Sequence, residues 1–191
     1  SDPSIKGGVL RLCSFKDGII TAAAEEEISV PATETSTPRT YKPGETSSST
    51  YKLISNQSAV LTIDTYNDIM HFLPLPYFND VDGEAGDFEF TFMSVETDRI
   101  VFKGKKHGKR IVMTRMPENI SWDQYLAQIH NTAKEASSLY AFDMLINDQK
   151  VGYAIFDKSQ RQFSFEYETG QGTEIINTHL SYTPTGITLY A

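Results

Sequence analysis

Cysteine is almost missing from the chain: Cys13 is the single one in 191 residues. An intrachain disulfide is therefore excluded, as is any zinc or iron–sulfur site built from cysteines. The scarcity suits a cytosolic protein and equally a bacterial envelope protein, so it assigns no compartment. Long apolar runs are absent too; none approaches the roughly 18 residues that a membrane-spanning helix needs. Positive charge is in deficit, with 17 Lys and Arg against 25 Asp and Glu, a net charge of −8 and a pI near 5.0. Such a surface repels phosphate, and neither nucleic acid nor an anionic membrane is expected as the main partner. The chain opens Ser1-Asp2-Pro3 with no Met and no signal peptide. It is expected to be a processed or trimmed protein whose export signal is already gone.

Signatures of catalysis are also lacking. There is no GxSxG, Walker loop or GxGxxG. His71, His107, His130 and His179 never stand at i, i+2 or i, i+4, and no HExxH occurs, so a metal site is not expected. No nucleophile–base pair is legible, and no enzyme activity or cofactor is expected.

Aromatic residues, by contrast, are plentiful: 11 Phe and 10 Tyr within a 39% hydrophobic composition. That supports a packed core, in one domain or two small ones. Period-2 alternation dominates. In 87–94, Phe88, Phe90 and Phe92 alternate with Glu89, Thr91 and Met93. In 161–168, Phe163, Phe165 and Tyr167 alternate with Ser164, Glu166 and Glu168. Weaker strands read at 9–15, 19–28, 49–55, 58–63, 99–105, 109–115, 140–146, 150–156, 173–182 and 186–190. Turn signals such as Asp17-Gly18, Asn147-Asp148 and Pro184-Thr185-Gly186 join them as hairpins. The expected fold is mainly β: an antiparallel meander forming a lipocalin-like barrel or curved sheets, with one main α-helix.

That helix is expected from Trp122 to about Ala136. Ser121 and Gln124 stand at capping-box spacing, Ile120 and Tyr125 at staple positions, and Trp122, Tyr125, Leu126, Ile129 and Ala133 form one apolar stripe. Trp122 is expected to be buried against the first β-unit, with Phe88, Phe90 and Phe92 facing the same core. Three segments follow: a first barrel-like unit at 1–116, a helical connection at 117–138, and a second, incomplete meander at 139–191. Residues 31–50, rich in Ser and Thr with Pro31, Pro38 and Pro43, read as a long dispensable loop. Residues 73–86 read as an acidic loop.

Short blocks in a definite order add a resemblance. Asp64-Thr65-Tyr66-Asn67, Gly86-Asp87-Phe88-Glu89-Phe90, Gly104-Lys105-Lys106 and Ser121-Trp122 follow one another, and Pro184-Thr185-Gly186-Ile187 closes the chain. In this the sequence resembles a family of secreted Bacteroidetes lipoproteins described only as a domain of unknown function. The resemblance implies a lipocalin-like β-architecture and an exported, outer-membrane-anchored protein in the cell envelope, periplasmic or surface-exposed. Family genes tend to sit among those for outer-membrane nutrient uptake. It implies no catalytic residues. The family's usual opening strand is missing before Gly7, and relatives continue past Ala191, so pieces of both ends are expected to be absent here, the lipid anchor among them.

Four polar clusters are candidates for chemistry. Asp64, Thr65, Tyr66, Asn67 and His71 follow a strand end, where polar groups at a barrel mouth can orient a ligand. The plainer and favoured reading is a turn in which Asp64 or Thr65 caps a short helix running through His71. Asn79, Asp80, Asp82, Glu84 and Asp87 crowd one loop, but without EF-hand spacing, so a solvated acidic loop is favoured over calcium binding. Lys103, Lys105, Lys106, Lys109 and Arg110 form a basic hairpin, best read as protection of a strand edge. Glu166 and Glu168 share a strand face and read as solvent-facing. The expected function is an exported, non-catalytic binding lipoprotein for a small molecule, glycan or peptide. The alternative is a structural or assembly partner of an outer-membrane uptake complex.

Overall fold

The computed structural model describes residues 8, 10–30, 32, 37–56, 58–71, 87–106, 108 and 110–190. Within these the chain is mainly β and antiparallel, and it falls into two compact units, each built on a curled sheet that forms a half-barrel.

The first unit spans Arg11–Trp122. Strands β1 (Arg11–Lys16), β2 (Ile19–Ala24), β3 (Ile28–Val30), β4 (Arg39–Tyr41), β5 (Thr46–Asn56) and β6 (Ser58–Ile63) come first. Then follow helix α1 (Asp68–His71) and strands β7 (Glu89–Val95), β8 (Arg99–Gly104) and β9 (Arg110–Thr114). A seven-stranded sheet runs in the order β1-β2-β5-β6-β7-β8-β9, and β3 pairs with β4 apart from it. Asp17 and Gly18 both have positive φ, 50° and 76°, as a primed two-residue turn requires between right-twisted strands. Ile20, Leu61, Ile63, Phe90 and Phe102 meet on the inner face of the sheet. Ala22 and Ala24 of β2 bring little side chain to their part of that face, and the fully buried Ile69 of α1 packs there with Ile28 and Val30.

The second unit runs from Asp123 to the end and includes the described residues Gly8 and Leu10. After α2 (Trp122–Ala136), strands β10 (Ala141–Ile146), β11 (Gln149–Asp157), β12 (Gln162–Thr169), β13 (Gly172–Thr183) and β14 (Gly186–Tyr190) form a meander in simple sequence order. Ile129 and Ala136 of α2 bury against Ala154, Phe156, Phe163, Leu180 and Tyr182. The units divide at Trp122, and the apolar stripe of the helix packs on the second sheet. Serine hydroxyls stop the helix: Ser137 Oγ donates to Lys134 O at 2.6 Å and Ser138 Oγ to Glu135 O at 2.9 Å.

Three expectations change. Residues 31–50 are not one loop, since β4 and the start of β5 lie there; a three-residue strand and a Ser/Thr-rich one carry too little apolar pattern to register as strands. Phe90 is buried and Phe92 half-buried, but Phe88, one residue before β7 begins, is 47% exposed although its carbonyl still accepts the Ile63 amide at 2.8 Å. Trp122 is half-buried. The acidic cluster at Asn79, Asp80, Asp82 and Glu84 lies outside the described residues, as do His107 and Lys109.

Candidate functional site

Strand β6 ends at Ile63, and the polar run that follows turns the chain into α1. Asp64 stays at the surface: it accepts the Thr50 hydroxyl and pairs with Lys52 Nζ at 2.6 Å. The hydrogen bond from Lys52, seconded by Thr50, holds its carboxyl below the ordinary carboxylate value. Thr65 Oγ1 accepts the amide of Thr50 at 2.8 Å. Both residues thus fasten the turn to β5.

The cap of α1 is Asn67, not Asp64 or Thr65. Its side chain is fully buried and uses every polar site. Oδ1 accepts the amides of Ile69 and Met70 at 3.1 and 3.0 Å, and Nδ2 donates to Ser47 O and Ser49 Oγ at 3.1 and 3.2 Å. One residue therefore closes a helix end and ties it to β5.

Asp68 opens the helix. Buried, it accepts Arg39 Nη1 at 3.0 Å and the Tyr41 hydroxyl, which draws β4 onto α1. His71 closes the turn. Its Nδ1 lies 2.9 Å from the Asn67 amide nitrogen. The Asn67 carbonyl already accepts the His71 amide, also at 2.9 Å. Nδ1 also lies 2.9 Å from the Asn67 carbonyl oxygen, so the neutral ring accepts the Asn67 amide or donates to that carbonyl according to its tautomer. Burial pushes the His71 pKa below its ordinary 6.5, partly offset by the Asn67 carbonyl and the Asp68 charge, and so favours that neutral form.

Tyr66 differs from its neighbours. It is 62% exposed, yet its ring is stacked on the buried His71 imidazole, with centroids 5.0 Å apart and planes at 17°. The ring of Phe88 stands 6.5 Å from His71. Close by, Arg39, Thr40, Tyr41, Gly44, Glu45 and Thr46 line an open hollow of about 670 Å³. Arg39 and Tyr41 link that hollow to Asp68. Neither was singled out from the sequence; the signal available was the β-forming Arg39-Thr40-Tyr41 directly after Pro38. All five expected residues are thus together, but only Tyr66 offers an exposed apolar face. Among the described residues no group of three or more His, Cys, Asp or Glu is placed to hold a metal ion.

The sequence profile described as "Domain of unknown function (DUF4302)" matches residues 4–191. The chain belongs to the DUF4302 family. No curated protein and no solved structure matches it. In this DUF4302 chain the short sequence blocks lock the fold to itself. Asp87 is buried and accepts the Lys106 amide through Oδ1 at 2.6 Å. Its carboxylate fills the place of a Gly104 side chain, since a Cβ there would fall 1.9 Å from Asp87 Oδ2. The GDF and GKK blocks are two halves of one contact. Beside it Lys105 pairs with Glu89 at 3.0 Å, while Lys103, Lys106 and Arg110 are exposed on the basic hairpin.

Proposed function

We propose that this DUF4302 protein is an exported, non-catalytic binding protein of the cell envelope. On this reading it is a lipoprotein of the outer membrane that takes a small molecule, glycan or peptide during nutrient uptake. The observation that carries the reading is the exposed Tyr66 ring held in a fixed plane by His71. Holding an aromatic face at the surface removes conformational freedom before a ligand arrives, and such a face contacts sugar rings, peptide planes or apolar groups alike. The adjacent hollow, with the Arg39 guanidinium and the Tyr41 and Thr40 side chains, supplies the polar groups that orient a ligand.

A thermal-shift screen of metabolites, oligosaccharides and peptides on the wild type tests this. The expected outcome is a compound class that raises the melting temperature of wild type but not of Tyr66→Ala. A ligand that stabilises both equally, or turnover of any of these substrates, contradicts the proposal. The alternative, a structural or assembly role, is favoured by the apolar side chains exposed on the second sheet, including Leu145, Ile146 and Ile175.

A further inference from the structure

We propose that strand β10 is a self-association edge, along which two copies of this chain join their five-stranded sheets. The ends of the two sheets are β1 and β9 in the first unit and β10 and β14 in the second. Strand β1 carries Arg11 and Lys16, and β9 begins at Arg110 beside Lys103; such cations keep an edge from pairing. Strand β14 is the shorter of the second unit's two, five residues against six, and begins at a glycine. Strand β10 reads Ala-Phe-Asp-Met-Leu-Ile, without Lys, Arg or Pro. Its one charge, Asp143, is paired with Lys150 of β11 at 2.6 Å. Leu145 and Ile146 are 59% and 62% exposed. A bulge does interrupt the β10–β11 ladder, yet Met144 pairs with Gly152 and Leu145 with Lys150, so the extra residue is Val151 on β11. Among the described residues no strand pairs with the other side of β10, and that side is continuous.

The strand is complementary to itself about Met144. Side chains two apart share a face, so Phe142, Met144 and Ile146 lie on one side and Asp143 and Leu145 on the other. An antiparallel two-fold centred on Met144 sets Phe142 opposite Ile146 of the second copy and Asp143 opposite Leu145. Centring on Asp143 would oppose two carboxylates, and shifting by one residue would match opposite faces. A basic partner strand would find this carboxylate already paired. An acidic one would meet Asp143 and, two strands along the same row, Glu166. An apolar, self-matching strand is the occupant that the edge fits. The net charge of −8 on each copy opposes association, so the dimer tightens as salt screens that repulsion.

Sedimentation equilibrium of the full chain tests the proposal. The wild type is expected to dimerise, more tightly at high salt. Leu145→Glu, which sets a second carboxylate against Asp143, is expected to weaken the dimer about tenfold or more, while Leu145→Met, which keeps an apolar side chain there, preserves it. In a Cys13→Ser background, Met144→Cys is expected to form an oxidised dimer readily and Asp143→Cys to do so poorly, a readout independent of how the charged variants fold. A wild type that stays monomeric at about 100 µM in high salt overturns the proposal, as do equal losses from Leu145→Glu and Leu145→Met.

Discussion

Asn67 has the least freedom to vary of the residues around α1. Buried with four hydrogen bonds, it is expected to cost about 2–4 kcal/mol when changed to Ala, since the amides of α1 and the Ser49 hydroxyl lose their partner together. Urea unfolding checks this. Asp87 and Gly104 form a second tight pair. Gly104→Ala should destabilise strongly, and in an Asp87→Ala background the same change should cost much less; a double-mutant cycle that comes out additive would show that the two do not touch. His71 links stability to pH. Its folded pKa lies below 6.5, so the unfolded chain binds the proton first. The stability contributed by the neutral ring is present above that value and is lost as pH falls through it toward the folded pKa. Unfolding free energy measured between about pH 7.5 and pH 5 should therefore drop, and His71→Phe should flatten that part of the profile.

The elements differ in how plainly they were written. Hairpins such as β10–β11 and β12–β13 were legible because alternating apolar side chains ran between turn residues with a fixed backbone preference; Asn147 and Asp148 indeed take positive φ, 50° and 61°. The helix was legible from Ser121 and its stripe. Strands β3 and β4 were not, because their place in the fold is decided by Asp68, which collects Arg39 and Tyr41 from across the sequence. The register shift between Phe92 and Ser94 likewise left Met93 59% exposed, a break that alternation alone does not announce. Within the candidate site the location was legible and the division of labour was not: Asp64, Thr65 and Asn67 are all competent caps, and only the fold selects Asn67. Replacing residues 31–50 by a short turn should accordingly lower the melting temperature by several degrees, whereas a mere loop would tolerate it. Arg39→Ala alone should cost less, as its guanidinium is largely exposed.

At the scale of the whole molecule, two half-barrel units carry different kinds of surface. The first holds an aromatic ring in place above a saturated polar lock; the second presents an apolar strand edge. The two units thus carry two separable features, a ring proposed to meet a ligand and a strand edge proposed to meet a second copy. The central claim is that Asp64, Thr65, Tyr66, Asn67 and His71 split into a lock and a platform. Calorimetric melting of Tyr66→Ala beside Asn67→Ala tests it most directly. A melting temperature within about 2 °C of wild type is expected for Tyr66→Ala, and a loss of roughly 5 °C or more for Asn67→Ala. Equal losses in the two variants, or a larger loss from Tyr66→Ala, would contradict it.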